Sequence, residues 1–123
     1  MADEKTILHI EDNFENRLLV RRILVAEGYN VLEAESASES IDILSTITPD
    51  LILMDINMPD IDGYTLTARL KANPAYQNIP ILAITANVTT AARERSQVAG
   101  FNGYIEKPID IDGFLEKISQ YLA

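Results

Sequence analysis

"PDLILMDINMPDIDG", Pro49 to Gly63, holds four consecutive apolar residues, Leu51 to Met54, that run straight into Asp55. An apolar run without alternation suits a strand buried on both faces, the habit of a parallel sheet. A carboxylate at the end of such a run is a turn residue, a cap or a working group. The rest of the chain decides between them.

"ILAI" within "IPILAIT" (Ile79 to Thr85) is a second run with no polar position. "TILHI" (Thr6 to Ile10), "NVLEA" (Asn30 to Ala34) and "GYIE" (Gly103 to Glu106) complete a set of five expected strands. The segments between them read as helices. Leu19, Val20, Ile23 and Leu24 form one stripe, and Gly28 follows as a stop. Ser36 to Glu39 is a capping box ahead of Ile41 and Leu44. Leu66 and Leu70 share a face before Asn73-Pro74. Ile111, Phe114, Leu115, Ile118 and Leu122 make the clearest stripe, with Asp110 as the expected N-cap. Thr89 to Ala99 offers a core mainly Ala91, Ala92, Val98 and Ala99, so a helix there is weakly anchored.

Alternating strands and helices predict an α/β three-layer sandwich, a five-stranded parallel sheet with five helices. The 123 residues suit a single domain, 1–123, with no output domain. No run approaches the roughly 20 apolar residues that span a bilayer, and the charged "MADEK" start is not a signal peptide. With no cysteine there is no disulfide and no thiolate metal site. A cytoplasmic location is the expectation. The formal net charge of -9 argues against nucleic acid and anionic membranes as partners. "RLLVRR", with Arg17, Arg21 and Arg22, is the one basic cluster and reads as a solvated helix face.

In open parallel sheets, ligands bind beyond the carboxyl ends of the strands. Glu11-Asp12-Asn13, Asp55 with Asn57 beyond it, Thr85-Ala86-Asn87 and Glu106-Lys107-Pro108 stand at those ends. Adjacent strands would bring Glu11, Asp12 and Asp55 together. A pair of unit charges about 4 Å apart costs roughly 4 kcal/mol at an effective dielectric near 20, so three carboxylates repel by about 10 kcal/mol. One lysine does not neutralise three. Lys107 plus one divalent cation does, and an all-oxygen donor set favours Mg²⁺ or Mn²⁺ over zinc. A carboxylate, a cation, a lysine and a hydroxyl match the needs of phosphoryl transfer. Asp55 is then the candidate nucleophile. Lys107 and Thr85 would hold phosphoryl oxygens, and the small Ala86 would let its backbone N–H approach.

The acidic pair Glu11-Asp12 with "DINMPDIDG", "ITA" and "KP" at these spacings resembles the receiver domain of two-component response regulators, over the chain from Lys5 onward. The "EDN" and "DINMPDIDG" segments are most similar to stand-alone and phosphorelay-type receivers. The resemblance implies a flavodoxin-like sheet of order 2-1-3-4-5. It implies phosphorylation of Asp55 by a sensor histidine kinase or a histidine phosphotransfer protein. Asp12, Asp55 and the backbone carbonyl of Asn57 would ligate Mg²⁺, with Glu11 acting through water. Thr85 and Tyr104 would form the switch pair, and the bond before Pro108 would be cis. Asparagines at 57 and 87 suggest a phosphoryl lifetime at neither extreme. The face formed by residues 89–122 is expected to meet a downstream protein. Met1 and a complete last helix suggest an independent protein.

Plainer readings compete. Asp55 could end a strand, Lys107 could precede a turn on the surface, and Thr85 could be an ordinary strand residue. Glu11, Asp12 or Asn13 could cap the first helix, and Gly63 could shape a helix start. His9 reads as a packed strand residue, not a second phosphoacceptor. Tyr104 could be a rim aromatic. Three other functions fit the same sheet. A nucleotide or flavin binder wants a Gly-rich or hydroxyl-rich loop where Glu11-Asp12 stands. A phosphohydrolase wants a second carboxylate where Asn57 stands. A binding module that is never phosphorylated stays open.

Overall fold

The computed structural model describes residues 4–56, 62–86 and 89–122. The apolar runs form strands β1 (Thr6–Ile10), β2 (Asn30–Ala34), β3 (Leu51–Asp55), β4 (Ile81–Thr85) and β5 (Gly103–Glu106). Between and after them lie helices α1 (Phe14–Ala26), α2 (Ala37–Leu44), α3 (Gly63–Ala72), α4 (Thr90–Ala99) and α5 (Ile111–Leu122). All strands pair in parallel, in the order β2-β1-β3-β4-β5. This is the expected sandwich and the order that the resemblance implies.

β3 and β4 are buried at every position, because helices cover both faces of the sheet. On one face Leu8, Ile10, Ile52, Met54 and Ala83 pack with Leu44, Leu66, Leu70 and Phe101 from the α2, α3 and α4 side. On the other, Ile7, Leu51, Leu53, Leu82 and Ile84 pack with Val20, Ile23 and Leu24 of α1 and Phe114 and Ile118 of α5. Strand alternation therefore assigns His9, Glu11 and Asp55 to the α1/α5 face and Thr85 to the other.

Local chemistry sets the helix starts. Asn13, Ser36, Asp62 and Thr89 each accept a hydrogen bond from a backbone N–H in the first turn, which satisfies donors a helix leaves orphaned. Asp110 Oδ2 likewise accepts from Gly113 N, as expected of an N-cap. The capping box is modified: Glu39 Oε1 accepts from Glu35 N, one residue before the cap. Gly63 has an ordinary φ. Its value lies in space, since a Cβ there would meet Met54 Sδ at 3.3 Å. Removing the side chain lets α3 start close against the end of β3.

Two sequence expectations need correction. β4 begins at Ile81, not Ile79. Pro80 has no N–H to give a ladder; only its carbonyl takes part, accepting from Ile52 N. The inward face of α1 includes Arg17 alongside Val20, Ile23 and Leu24, while Leu19 is exposed. Arg17 is thus not on a solvated face. α4 is as weakly anchored as its composition suggests: Ser96 is its one buried residue, and Val98 is 89% exposed.

Candidate functional site

Register carries the polar strand ends to one edge. Ile10 is opposite Met54, Asp55 opposite Ile84, and Thr85 opposite Glu106. Glu11, Asp55, Thr85 and Lys107, at the strand ends or one residue past them, therefore lie along one edge of the sheet. Lys107 Nζ donates to Asp55 Oδ2 at 2.9 Å, and its backbone N donates to Thr85 O at 2.9 Å. The β4–β5 ladder thus sets where this ammonium stands. The Lys107-Pro108 peptide is cis.

Asp55 is 4% exposed and Glu11 is 2% exposed. The Glu11 carboxyl lies against those of Asp55 and Asp12, and its pKa is pushed up to about 7. Burial is the larger cause and the Asp55 carboxyl comes next. Glu11 Oε2 also accepts from Asn13 N at 3.3 Å, which works in the opposite direction. Asp12, next along the chain, is exposed. Asn13 supplies the N-cap of α1, accepting from Asn16 N at 2.9 Å. This leaves the two acidic residues free of the capping role.

Thr85 is 5% exposed at the end of β4, and Ala86, exposed, follows it. Tyr104 pairs with Ala83 in register and packs against the α2–α4 core, the face that Thr85 shares by alternation. Its half-buried ring lies between two cations. Arg93 Cζ of α4 is 5.0 Å from the ring centroid, and Lys117 Nζ of α5 is 5.8 Å from it. Asn57 and Asn87 lie outside the described residues. The structure therefore brings together Glu11, Asp12, Asp55 and Lys107, with Thr85 and Ala86 beside them.

The donors that could hold a cation are carboxylate oxygens, a set that suits a hard divalent ion. Among the described residues, no group of three or more His, Cys, Asp and Glu side chains is disposed as a complete metal cage. The expected set needs only two carboxylates as direct side-chain ligands, plus the Asn57 carbonyl. Three carboxyls, those of Glu11, Asp12 and Asp55, meet with the one ammonium of Lys107 beside them, so formal negative charge exceeds what Lys107 offsets. A divalent cation fits that deficit.

His9 and Arg17 were not singled out for the site by sequence reasoning. His9 is 1% exposed, and neither ring nitrogen has a hydrogen-bond partner. Its pKa is lowered to about 4, chiefly by burial. With Glu11, Asn16, Val20, Ile84, Lys107 and others it lines a cavity of about 430 Å³. Arg17 donates from Nη1 to Glu11 O at 2.9 Å. Its place three residues before Val20 was the available signal, overlooked because a periodicity count admits only apolar residues.

A parallel five-stranded sheet in the order β2-β1-β3-β4-β5 with an acid–lysine cluster at its carboxyl edge is the architecture of a receiver-type signalling domain. The chain matches the response regulator receiver domain model over residues 7–119 and belongs to that family, which acts in two-component signalling. It is 37% identical over 119 residues to the polar-differentiation response regulator DivK of Brucella ovis, covering 97% of each chain. Among solved structures, the receiver domain of sensor histidine kinase PA1611 from Pseudomonas aeruginosa superposes with a TM-score of 0.87 at 29% identity. The match covers 97% of this chain and 98% of that one, and a magnesium ion is coordinated in that protein's active-site cleft. Chemotaxis response regulator CheY4 of Vibrio cholerae superposes with a TM-score of 0.91 at 23% identity, covering 97% and 99% of the two chains. At that identity the likeness is one of fold. No helix among the described residues is long and apolar enough to cross a membrane.

Proposed function

We propose that Asp55 accepts a phosphoryl group from a phosphohistidine on a sensor histidine kinase or a histidine phosphotransfer protein. The observation that carries this reading is the 2.9 Å contact of Lys107 with a buried Asp55 beside a second, proton-hungry carboxyl. A carboxylate oxygen of Asp55 forms the new P–O bond as the P–N bond to the donor imidazole breaks. The departing electron pair stays on the imidazole nitrogen, which takes up a proton. Lys107, already on Asp55, moves its charge to a phosphoryl oxygen as the acyl phosphate forms. Thr85 Oγ1 and the backbone N–H of Ala86 donate to the others.

Asp12, Asp55 and the Asn57 carbonyl would hold Mg²⁺ or Mn²⁺, with Glu11 acting through water. A bound dication supplies charge neutralisation for the anions that meet there. Water attack on the acyl phosphate then returns the protein to its resting state.

The switch follows from electrostatics and weak anchoring. A new doubly negative group draws Thr85 toward it. Tyr104 fills the space that opens on the same face, leaving the cations of Arg93 and Lys117. α4 rests on little core and shifts cheaply, so residues 89–122 present a changed surface to a downstream protein. Support comes from the shared face of Thr85 and Tyr104 and from the exposure of α4.

Amide chemical shifts recorded with acetyl phosphate and Mg²⁺ test this reading. We expect changes at Thr85, Tyr104 and across α4, β5 and α5. Changes confined to the residues around Asp55 would contradict it.

A further inference from the structure

We propose that Arg17 is a positioning residue for the cation site, holding the Glu11–Asp12 peptide in the orientation that aims both acids. The inference rests on the cation reading above and deepens it.

Arg17 is 7% exposed, unusual for an arginine on the outer layer of a sandwich. Burying a guanidinium is costly unless its donors are met. Two of them are met here, by two turns of the chain at once. Nη1 donates to Glu11 O at 2.9 Å, and Nη2 donates to Glu35 Oε1 at 2.8 Å. The Phe14 ring centroid lies 5.8 Å from Cζ on a further side. The planar fork therefore spans the turn after β1 and the turn after β2, which a point-like ammonium does not match.

The carbonyl it grips is the one that matters. Glu11 O belongs to the peptide unit joining Glu11 to Asp12. β1 has ended at Ile10, so the strand ladder no longer sets that unit's plane. On the other side of Glu11, its N–H donates to Ala34 O at 2.9 Å. Only the charged hydrogen bond from Arg17 fixes the following plane among the bonds described, and that plane sets where Asp12 starts. Groups that orient metal ligands without touching the metal commonly control affinity by about 10- to 100-fold.

Arg21 offers an internal control. It lies on the same helix and pairs with Glu33 at 2.8 Å, but on the exposed surface and without touching the acidic turn.

Magnesium alone, with no phosphodonor, is titrated into the protein and followed by amide chemical shifts. Thermal unfolding is measured in parallel. Arg17→Met is expected to weaken Mg²⁺ binding about 10- to 100-fold, Arg17→Lys to recover part of the loss, and Arg21→Met to leave binding unchanged. A folded Arg17→Met protein with a lower melting temperature and the wild-type Mg²⁺ constant overturns the proposal, because the arginine is then only a staple. Should Arg17→Met not fold, Glu35→Ala carries the test: removing one anchor of the fork should weaken Mg²⁺ binding in the same direction, and an unchanged constant overturns the proposal. A wild-type protein without saturable shifts overturns the cation reading itself, a separate failure that takes this inference with it.

Discussion

Lys107 Nζ and Asp55 Oδ2 stand 2.9 Å apart across the carboxyl edge of β3 and β5, strands that flank β4. The lysine is partly exposed and the aspartate is buried. The pair is thus open on the side from which a donor must arrive and closed on the side facing the core. Among the described residues, the Glu11 carboxyl makes no ion pair, so one ammonium, that of Lys107, stands beside a group of three acids.

Lys107→Met separates the roles of the two positive charges. Deleting one partner of a buried pair leaves the other uncompensated, a loss of about 3–5 kcal/mol in dry sites. With Lys107 partly exposed, about 1–2 kcal/mol is expected from urea unfolding without divalent ions. Magnesium should bind this variant at least as tightly as wild type, because a competing cation has gone. A clear loss of Mg²⁺ affinity would contradict the assignment of Lys107 to the phosphoryl group.

Asp55→Asn should lower the pKa of Glu11 from about 7, because the Asp55 carboxyl is the second cause of its rise. The value should remain above the ordinary 4.5, because burial is the first. Carboxyl carbon shifts of Glu11 followed against pH read this directly. A Glu11 titration unmoved by the substitution would show that the two carboxyls do not interact.

His9 and Glu11 push stability in opposite directions with pH. The folded His9 has its pKa lowered from 6.5 to about 4. Between those values the unfolded chain binds the extra proton, so His9 costs stability as pH falls below 6.5. About 3 kcal/mol is at stake at the acid end of that window. Glu11 is raised from 4.5 to about 7, so the folded chain binds the extra proton there. Its contribution is present at low pH and lost as pH rises toward 7. His9→Leu removes the first effect and exposes the second. Relative to wild type, the variant should gain stability on going from pH 7 to pH 4.5 in urea unfolding. Parallel wild-type and variant profiles would show that His9 does not titrate as placed.

Strand and helix identities were legible because burial imposes a pattern. β3 and β4, buried on both faces, have no polar position until Asp55 and Thr85. α5 shows its stripe because Phe114 and Ile118 must face the sheet. Strand order was not legible from the runs themselves, since a local run carries no register; it came from the family likeness carried together by the acidic pair, "DINMPDIDG", "ITA" and "KP". The face of α1 was misread because a guanidinium with two acceptors can take an inward position, which leaves Leu19 outside. Pro80 marked the late start of β4, but an apolar run alone conceals a missing donor. The raised pKa of Glu11 had no sequence signal beyond its neighbours, because it depends on how closely three strand ends converge.

Intact mass after incubation with acetyl phosphate and Mg²⁺ tests the central claim most directly. Wild-type protein should gain the mass of one phosphoryl group, and Asp55→Asn should gain none under the same conditions. An adduct of equal yield on Asp55→Asn, or no adduct on wild type with magnesium shown to be bound, would contradict the account.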